Sequence, residues 1–407
     1  MSLPARVAAG FAGLPEGPVA LAVSGGSDSI ALMHLAFAAD PSRPWRVVTV
    51  DHGLRPEAAA EAAGVAAAAQ SLGLPHVTLD WGGWDGRGNL QDRARQARRQ
   101  LIGDWARAAG IGAVALGHTL DDQAETVLMR LARGSGVDGL AGMAPRRREA
   151  GMLWLRPLLQ ERREDLRNWL RGQGISWIDD PSNDDPRFDR VRARRLLAAA
   201  GDLGIEAAGL AETAQRMAAA RAVLGEAARS AAERLAMTGW GAVTLAPDYA
   251  ALPDETRWRL LAGALCQVSG HPYRPRLLAL KAAERALAEG RSQTLHDCLM
   301  VPCAKGLRIQ PEPKALSGLE KPVPGRWAGW RIDGPATEGV TIRAMGEAGL
   351  ARRPGWRAPG LSFLLAQTTP GLWRGGDLIA APALEPADWR AVPAWDKAAF
   401  AMSFISH

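Results

Sequence analysis

Ser24-Gly25-Gly26-Ser27-Asp28-Ser29 is the segment of this 407-residue chain whose residue types and spacing say most about chemistry. It follows an apolar run, Val19 to Val23, and precedes an almost wholly apolar stretch, Ile30 to Ala39. At such a strand-to-helix junction, backbone N–H groups and the positive end of the helix dipole converge on a bound anion. Gly25 and Gly26 permit a tight turn and close approach to a phosphate, and Ser24, Ser27 and Ser29 add hydroxyl donors. No Gly-Lys-Ser/Thr follows, so this is not a Walker loop. Asp28 would repel a phosphate unless a divalent cation stood between them, which points to Mg²⁺ at this carboxylate. A lone Gly-Gly pair would read as an ordinary βα turn with a polar N-cap. The complete hexapeptide at the first strand–helix junction argues for more.

A second group lies in Gly117-His118-Thr119-Leu120-Asp121-Asp122-Gln123-Ala124-Glu125-Thr126, which ends another apolar run and opens a helix. Asp121 and Glu125 are four apart, and Asp122 and Glu125 three apart, so both pairs share a helix face. Like charges so placed cost on the order of a few tenths of a kcal/mol, and a cation between them is expected. Acids at a helix start also suit its dipole, a purely structural reason for Asp121. His118 stands at a strand end, where a ligand contact is favoured over core packing. Arginines form a third group. Six fall in 86–107 against two aspartates, and thirteen in 146–195 against nine acids. These are candidate nucleic-acid surfaces, the alternative being a solvated arginine face. Cys298 and Cys303 with His296 do not make a zinc site, because no second ligand pair follows at a suitable spacing.

The elements that must position these groups are short apolar runs alternating with helical stretches. Strands are expected at Val19 to Val23, Arg46 to Val50, His76 to Leu79 and Ala113 to Leu116, with one more from Met152. Helices are expected between them, including one that Pro56 opens, and one over about 90–109 after a Gly/Trp loop. That alternation predicts an α/β fold with a parallel, doubly wound, Rossmann-like sheet. In such sheets ligands bind at the carboxyl ends of strands, where the Ser24 loop, Asp51-His52 and His118 all fall. Gly134 to Leu140 reads as a loop, Arg146-Arg147-Arg148 as a charge cluster and 187–195 as densely basic. A long Ala/Glu/Arg-rich helix over 205–237, helices near 254–267 and 275–289, and two closing strands suggest a helical second domain. After a proline-containing linker, a small mixed α/β or β region completes the chain. The expected domains are 1–200, 201–310 and 319–407.

Composition sets the limits. Hydrophobic residues make up 47% and charged residues 23%, ordinary for a globular chain and against wholesale disorder. No uncharged apolar run reaches the ~18 residues of a membrane span. Three cysteines cannot build a disulfide framework, so a cytoplasmic location is expected. The net charge of +6 permits an anionic partner.

The hexapeptide resembles the signature of the PP-loop ATP pyrophosphatases. The resemblance implies that Ser24 to Ser29, with Asp51, His52 and His118, bind ATP, whose pyrophosphate end the loop grips. Further segments narrow it. These are Asp51-His52-Gly53-Leu54-Arg55, Ala94-Arg95-Gln96-Ala97-Arg98, Gly117 to Thr126, Arg133-Gly134-Ser135-Gly136, Arg156-Pro157-Leu158-Leu159, and Asp180-Pro181-Ser182-Asn183 before Arg190, Arg192 and Arg194. Together they look like the tRNA(Ile)-lysidine synthetase family, densely over 19–197 and thinly beyond 318. Arg99 and Val191 stand where that family commonly has an aromatic residue and an asparagine.

The resemblance implies an ATP-dependent ligase. It would adenylate the wobble cytidine of the CAU anticodon of tRNA(Ile) and join free L-lysine to ring position two. The product, lysidine, changes codon reading from AUG to AUA. Asp28, His118, Asp122 and Glu125 would be catalytic, Asp121, Asp122 and Glu125 would receive lysine, and Arg95, Arg98, Arg190, Arg192 and Arg194 would face tRNA. The reading leaves room for a homodimer. It also leaves two rivals. A tRNA thiolase on the same loop normally needs paired cysteines, and residues 1–265 have none. A non-catalytic adenine-nucleotide-binding module would not need Asp28, Asp122 and Glu125 together.

Overall fold

Burial on alternate sides of each strand explains the N-terminal sheet. In β1 (Val19–Ala22) the side chains of Val19 and Leu21 join one core, while Ala20 and the half-buried Ala22 join another. The first core contains Leu32, Leu35 and Ala36, and the second contains Ile102, Ala106 and Trp154. Successive strand residues point to opposite faces, so a strand buried on both must be apolar at every position. Each fully buried leucine or valine contributes about 1.5–3 kcal/mol to holding helices on both faces.

The computed structural model describes every residue except 15, 54–57, 83–89, 150, 180–184, 186, 358 and 406–407, and only the backbone of 90–92. The expected role of Pro56, and the motif residues Leu54, Arg55 and Asp180 to Asn183, therefore lie outside the described residues, as does Arg87. The chain divides into two compact units, Met1–Arg221 and Ala222–Ser406.

In the first unit, α1 (Leu3–Gly10) precedes β1. Then come α2 (Ser27–Ala39), β2 (Trp45–Asp51), α3 (Ala58–Ser71), β3 (His76–Asp80), α4 (Leu90–Ala108), β4 (Ala113–Leu116), α5 (Leu120–Ala132) and α6 (Val137–Leu140). The hairpin β5 (Arg146–Glu149) and β6 (Met152–Leu155) leads to α7 (Arg163–Gly172), α8 (Asp189–Ala199) and the start of α9 (Ala207–Leu235). The sheet order is β3-β2-β1-β4-β6-β5, parallel except for β5. The chain winds outward from β1 to β3 and returns to the other side of β1 as β4, so a topological switch point lies between β1 and β4.

One local reading needs correction: the expected loop Gly134 to Leu140 contains α6. The Arg146 to Arg148 cluster lies on an antiparallel edge strand, paired with Leu155, Trp154 and Leu153, and most of the densely basic stretch 187–195 lies on α8.

In the second unit, β7 (Ala236–Gly239) and β8 (Ala242–Leu245) form a hairpin after α9. They are followed by α10 (Asp254–Ser269), α11 (Leu277–Ala288), β9 (Gln293–Leu295), β10 (Cys298–Cys303) and β11 (Gly306–Pro311). The strands make an antiparallel sheet, β7-β8-β11-β10-β9. Leu260, Leu261 and Leu265 pack with Val243, Leu245, Met300 and Ile309 in one core. The helices stand where their sequence pattern put them. The β7–β8 hairpin departs from the expected helix over 205–237, whose last two residues are the start of β7. Beyond it, β12 (Lys321–Pro322), β13 (Gly325–Trp327), β14 (Trp330–Asp333), β15 (Val340–Ala344), α12 (Gly346–Ala351), α13 (Phe363–Gln367), β16 (Pro370–Arg374), β17 (Asp377–Ala380), β18 (Arg390–Pro393) and α14 (Lys397–Met402) follow. They form sheets β12-β15-β16-β17 and β13-β14-β18. Among the described residues no helix is long and apolar enough to cross a membrane.

Candidate active site

The loop after β1 is held in shape by its own small residues. Gly25 has φ +92, and a Cβ there would lie 2.9 Å from Ile178 Cδ1, so both backbone and space require glycine. A Cβ on Gly117 would lie 3.0 Å from the Asp28 carbonyl oxygen, so glycine also lets the end of β4 approach the first turn of α2. The Ser29 hydroxyl accepts from Ser24 N–H at 3.1 Å and donates to the Gly26 carbonyl at 3.0 Å. Ser29 thus closes the loop. Ser27 Oγ donates to Asp28 Oδ1 at 3.1 Å and accepts from Arg167 Nε at 3.3 Å. The first N–H groups of α2 lack intrahelical acceptors by geometry, which is what an anion site needs.

Helix α5 starts with Thr119 as N-cap in a capping box with Asp122. Asp122 Oδ2 accepts from Thr119 N–H at 2.9 Å, which is a structural role. Its Oδ1 faces Arg163 Nη2 at 3.0 Å and Arg190 Nη1 at 3.5 Å. The two oxygens of one carboxylate therefore serve the helix start and the site. Glu125 is 1% exposed. Its Oε1 meets Arg194 Nε at 2.9 Å and Arg163 Nη1 at 3.6 Å, while its Oε2 is buried without a hydrogen-bond partner. Asp121 is engaged elsewhere: its Oδ2 accepts from the Arg163 backbone N–H at 2.7 Å, at the start of α7. Arg163 Nε also pairs with Asp28 Oδ2 at 2.8 Å. One guanidinium therefore touches Asp28, Asp122 and Glu125.

The protonation states follow. Burial pushes Asp28 above the usual carboxylate range, and the Arg163 guanidinium only partly offsets it. Burial also opposes ionisation of Asp122, but Arg163 and then Arg190 outweigh it and hold this carboxyl below its ordinary value. His118 is pushed down to about 3, first by burial and then by Arg156, Arg190 and Arg95, against the pull of Asp122. It is a neutral imidazole whose Nδ1 is buried without a partner. Burial and Arg98 depress His52 to about 4, and Arg98 Nη2 lies 3.2 Å from His52 Nε2. Arg156 is pushed down to about 10, by burial and then by Arg99 and Arg147. That many guanidinia in one place suit a polyanion.

A cavity of about 410 Å³ opens at the ends of β1 and β4, within the ~300–1,000 Å³ typical of small-molecule sites. Its apolar lining includes Val48, Val50, Ile102, Leu116 and Ile178. Its polar lining brings together Ser24, Gly26, Ser27, Asp28, Ser29, His118, Asp122, Arg98, Arg190 and Arg194. Asp51, His52, Asp121, Glu125, Arg95 and Arg192 are not part of that lining. Asp51 Oδ1 instead accepts from Gly53 N–H at 2.8 Å. Among the described residues no three His, Cys, Asp or Glu side chains are arranged to cage a metal. Asp28, the one carboxylate of the loop, has the donor type for an ion such as Mg²⁺, which usually takes one or two carboxylates and completes its shell with phosphate and water, although Arg163 is its partner in this structure.

Comparison with known proteins agrees with this fold. A family model described as a PP-loop domain matches residues 4–200. A tRNA(Ile)-lysidine synthase of Ruegeria pomeroyi is 45% identical over 402 residues, covering 98% of this chain and 96% of that protein. The chain belongs to the tRNA(Ile)-lysidine synthase family. Other members, from Methylobacterium sp. strain 4-46 and Methylobacterium nodulans, are 47% and 43% identical, over 66% and 74% of this chain and 78% and 92% of theirs. Arg163, Arg167 and Phe188, which no sequence motif of this family member marks, also line the cavity. Arg163 lies 135 residues from Asp28 and 41 from Asp122. Only its place in an arginine-rich stretch marked it.

Proposed function

We propose that the chain uses ATP to adenylate the wobble cytidine of the CAU anticodon of tRNA(Ile), then joins free lysine to ring position two. The product is lysidine, and the tRNA then reads AUA. The observation that carries this reading is that the Ser24 loop, His118 and Asp122 share one cavity, in a chain of this family.

The Ser24 loop would hold the pyrophosphate end of ATP through backbone N–H groups and the Ser27 hydroxyl. Asp28 would hold Mg²⁺, which when bound supplies charge neutralisation for the departing pyrophosphate. The cytidine must be unstacked to reach the cavity. Its ring-position-two oxygen attacks the α-phosphorus, and the bond to pyrophosphate breaks. The ε-amine of lysine then forms a C–N bond at the same carbon, and AMP leaves with the former carbonyl oxygen. Asp122 and Glu125 would receive the lysine ammonium. Its proton must leave before attack, and Glu125, whose Oε2 is buried without a hydrogen-bond partner, would take it, since His118 at about 3 is too weak a base. Arg95, Arg98 and Arg192 would face the RNA backbone, and Arg190 and Arg194, which line the cavity and hold Asp122 and Glu125, would meet the RNA at the unstacked cytidine.

The test is incubation with ATP, lysine and transcribed tRNA(Ile), followed by mass analysis of the wobble nucleoside. The expected result is lysidine, with pyrophosphate release that requires the RNA. An unmodified cytidine after complete reaction conditions would overturn the proposal.

A further inference from the structure

The acidic wall of the cavity carries its own counter-cations. Asp28, Asp122 and Glu125 face three guanidinia, those of Arg163, Arg190 and Arg194. Glu125 does not line the cavity, although the two arginines that hold it do. A lysine ammonium entering this site meets carboxylates that already have cations. Yet Glu125 Oε2, on a side chain 1% exposed, has no donor at all. A buried acceptor left so costs roughly 1–3 kcal/mol, which marks a place for a donor.

Arg163 is the guanidinium that contacts all three acids, and it also stands next to the phosphate loop. Its Nε is 2.8 Å from Asp28 Oδ2. Arg167, one turn on along α7, reaches Ser27 Oγ at 3.3 Å, so this face of α7 looks onto the loop. The Arg163 backbone is pinned by Asp121, but its long side chain can turn about that fixed point. A guanidinium binds phosphate through paired N–H groups at least as well as carboxylate.

Resting on the function proposed above, we infer that Arg163 exchanges partners. Without nucleotide it neutralises Asp122 and Glu125. When a triphosphate occupies the Ser24 loop it turns to the phosphate, and the three carboxylates, left facing only Arg190 and Arg194, take the lysine ammonium as the missing cation. Nucleotide and lysine therefore bind with positive coupling, and Arg163 is the positioning residue that couples them. The same device keeps lysine from settling productively in an enzyme that has no ATP to spend.

The experiment is calorimetric titration of the full chain with L-lysine, with and without α,β-methylene-ATP and Mg²⁺, in the absence of tRNA. In the unaltered protein the analogue should tighten lysine roughly tenfold or more, and lysine should tighten the analogue by the same factor. In Arg163→Gln, lysine should bind the nucleotide-free protein nearly as well as the nucleotide-bound one, the coupling falling below about threefold. Arg163→Lys keeps the charge without the fork and should retain part of the coupling. It carries the comparison if the glutamine variant does not fold. A lysine affinity in the unaltered protein that ignores the analogue, with both ligands binding, overturns the inference and leaves the proposed ligase intact. So does full coupling in a folded Arg163→Gln. Failure of the analogue to bind at all removes the functional reading and the inference with it.

Discussion

On the β1 side of the cavity the groups offered to a ligand are backbone amides and short hydroxyls, fixed by Gly25, by the Ser29 hydroxyl and by the close approach of Gly117. On the α5 side they are long ionic side chains, Arg163, Arg190 and Arg194 around Asp122 and Glu125. The first wall is specified by conformation, and its shape cannot change without breaking the turn. The second is specified by charge pairing, and each partner can be exchanged for a substrate group of the same sign. A phosphate tail common to many reactions suits the first kind of wall, and an amino-acid substrate that must be admitted at one stage suits the second.

The largest effects should come from breaking the rigid wall. Gly25→Ala forces a side chain into a φ of +92 and against Ile178. Asp28→Ala removes the carboxylate proposed for Mg²⁺. Each should lower RNA-dependent pyrophosphate release by on the order of 10²–10³, the scale for losing a preorganised electrostatic group. Retention of tRNA on a filter should be unchanged. Near-normal pyrophosphate release by Asp28→Ala at ordinary Mg²⁺ would remove the metal role.

The same contrast explains what the sequence made legible. A wall made of backbone must be encoded locally, so Ser24 to Ser29 could be read from six adjacent letters flanked by apolar runs. The doubly wound sheet was readable for a similar reason: β1 and β4 are buried on both faces and so are unbroken apolar runs. A wall made of ion pairs is encoded across the chain. Asp122 and Glu125 were found by helical spacing, but Arg163 could not be told from its twelve arginine neighbours in 146–195 without the fold. Asp121 misled for a physical reason as well. It sits on the same face as Glu125, yet its carboxylate is taken by the first N–H of α7. The β7–β8 hairpin was missed because an Ala-rich helix runs directly into it at Ala236, with no proline or glycine before the first strand.

A smaller effect is expected from the exchangeable wall. Glu125→Gln keeps the shape but removes the charge. It should raise the KM for lysine by about 10–100-fold, the range for losing a charge-assisted hydrogen bond of ~1.5–3 kcal/mol. The adenylation step, followed as pyrophosphate release, should change far less. Equal losses in both steps would mean that Glu125 belongs to the ATP wall, and the contrast between the walls would fail.

His118 lies where the walls meet, and its neutrality gives a pH signature. The unfolded side chain titrates near 6.5 and the folded one at about 3. Between these values the unfolded chain binds a proton that the native one does not. The native state is therefore favoured above about pH 6.5 and loses stability as the pH falls toward 3, by up to about 1.4 kcal/mol per unit. His118→Asn should flatten the dependence of urea-unfolding free energy on pH between 5 and 6.5. An unaltered slope would mean that His118 is charged in the native protein.

The smallest expected effect separates arginines that the sequence grouped together. On α8, Arg190 and Arg194 are four apart and share the face that meets Asp122 and Glu125, whereas Arg192 is exposed and pairs with Asp189 on its own helix. Arg190 and Arg194 line the cavity and Arg192 does not. If the first two belong to the exchangeable wall and the third to the RNA surface, their deletions should differ in kind. Arg192→Ala should weaken tRNA binding only a few-fold, reduce the slope of log affinity against log salt by about 0.7–0.9, and leave the lysine KM alone. Arg194→Ala should leave the salt slope alone and change the lysine KM, because it removes a guanidinium from Glu125. Loss of salt dependence in Arg194→Ala would show that this guanidinium already answers to phosphate, and the acidic wall would then be an RNA wall as well.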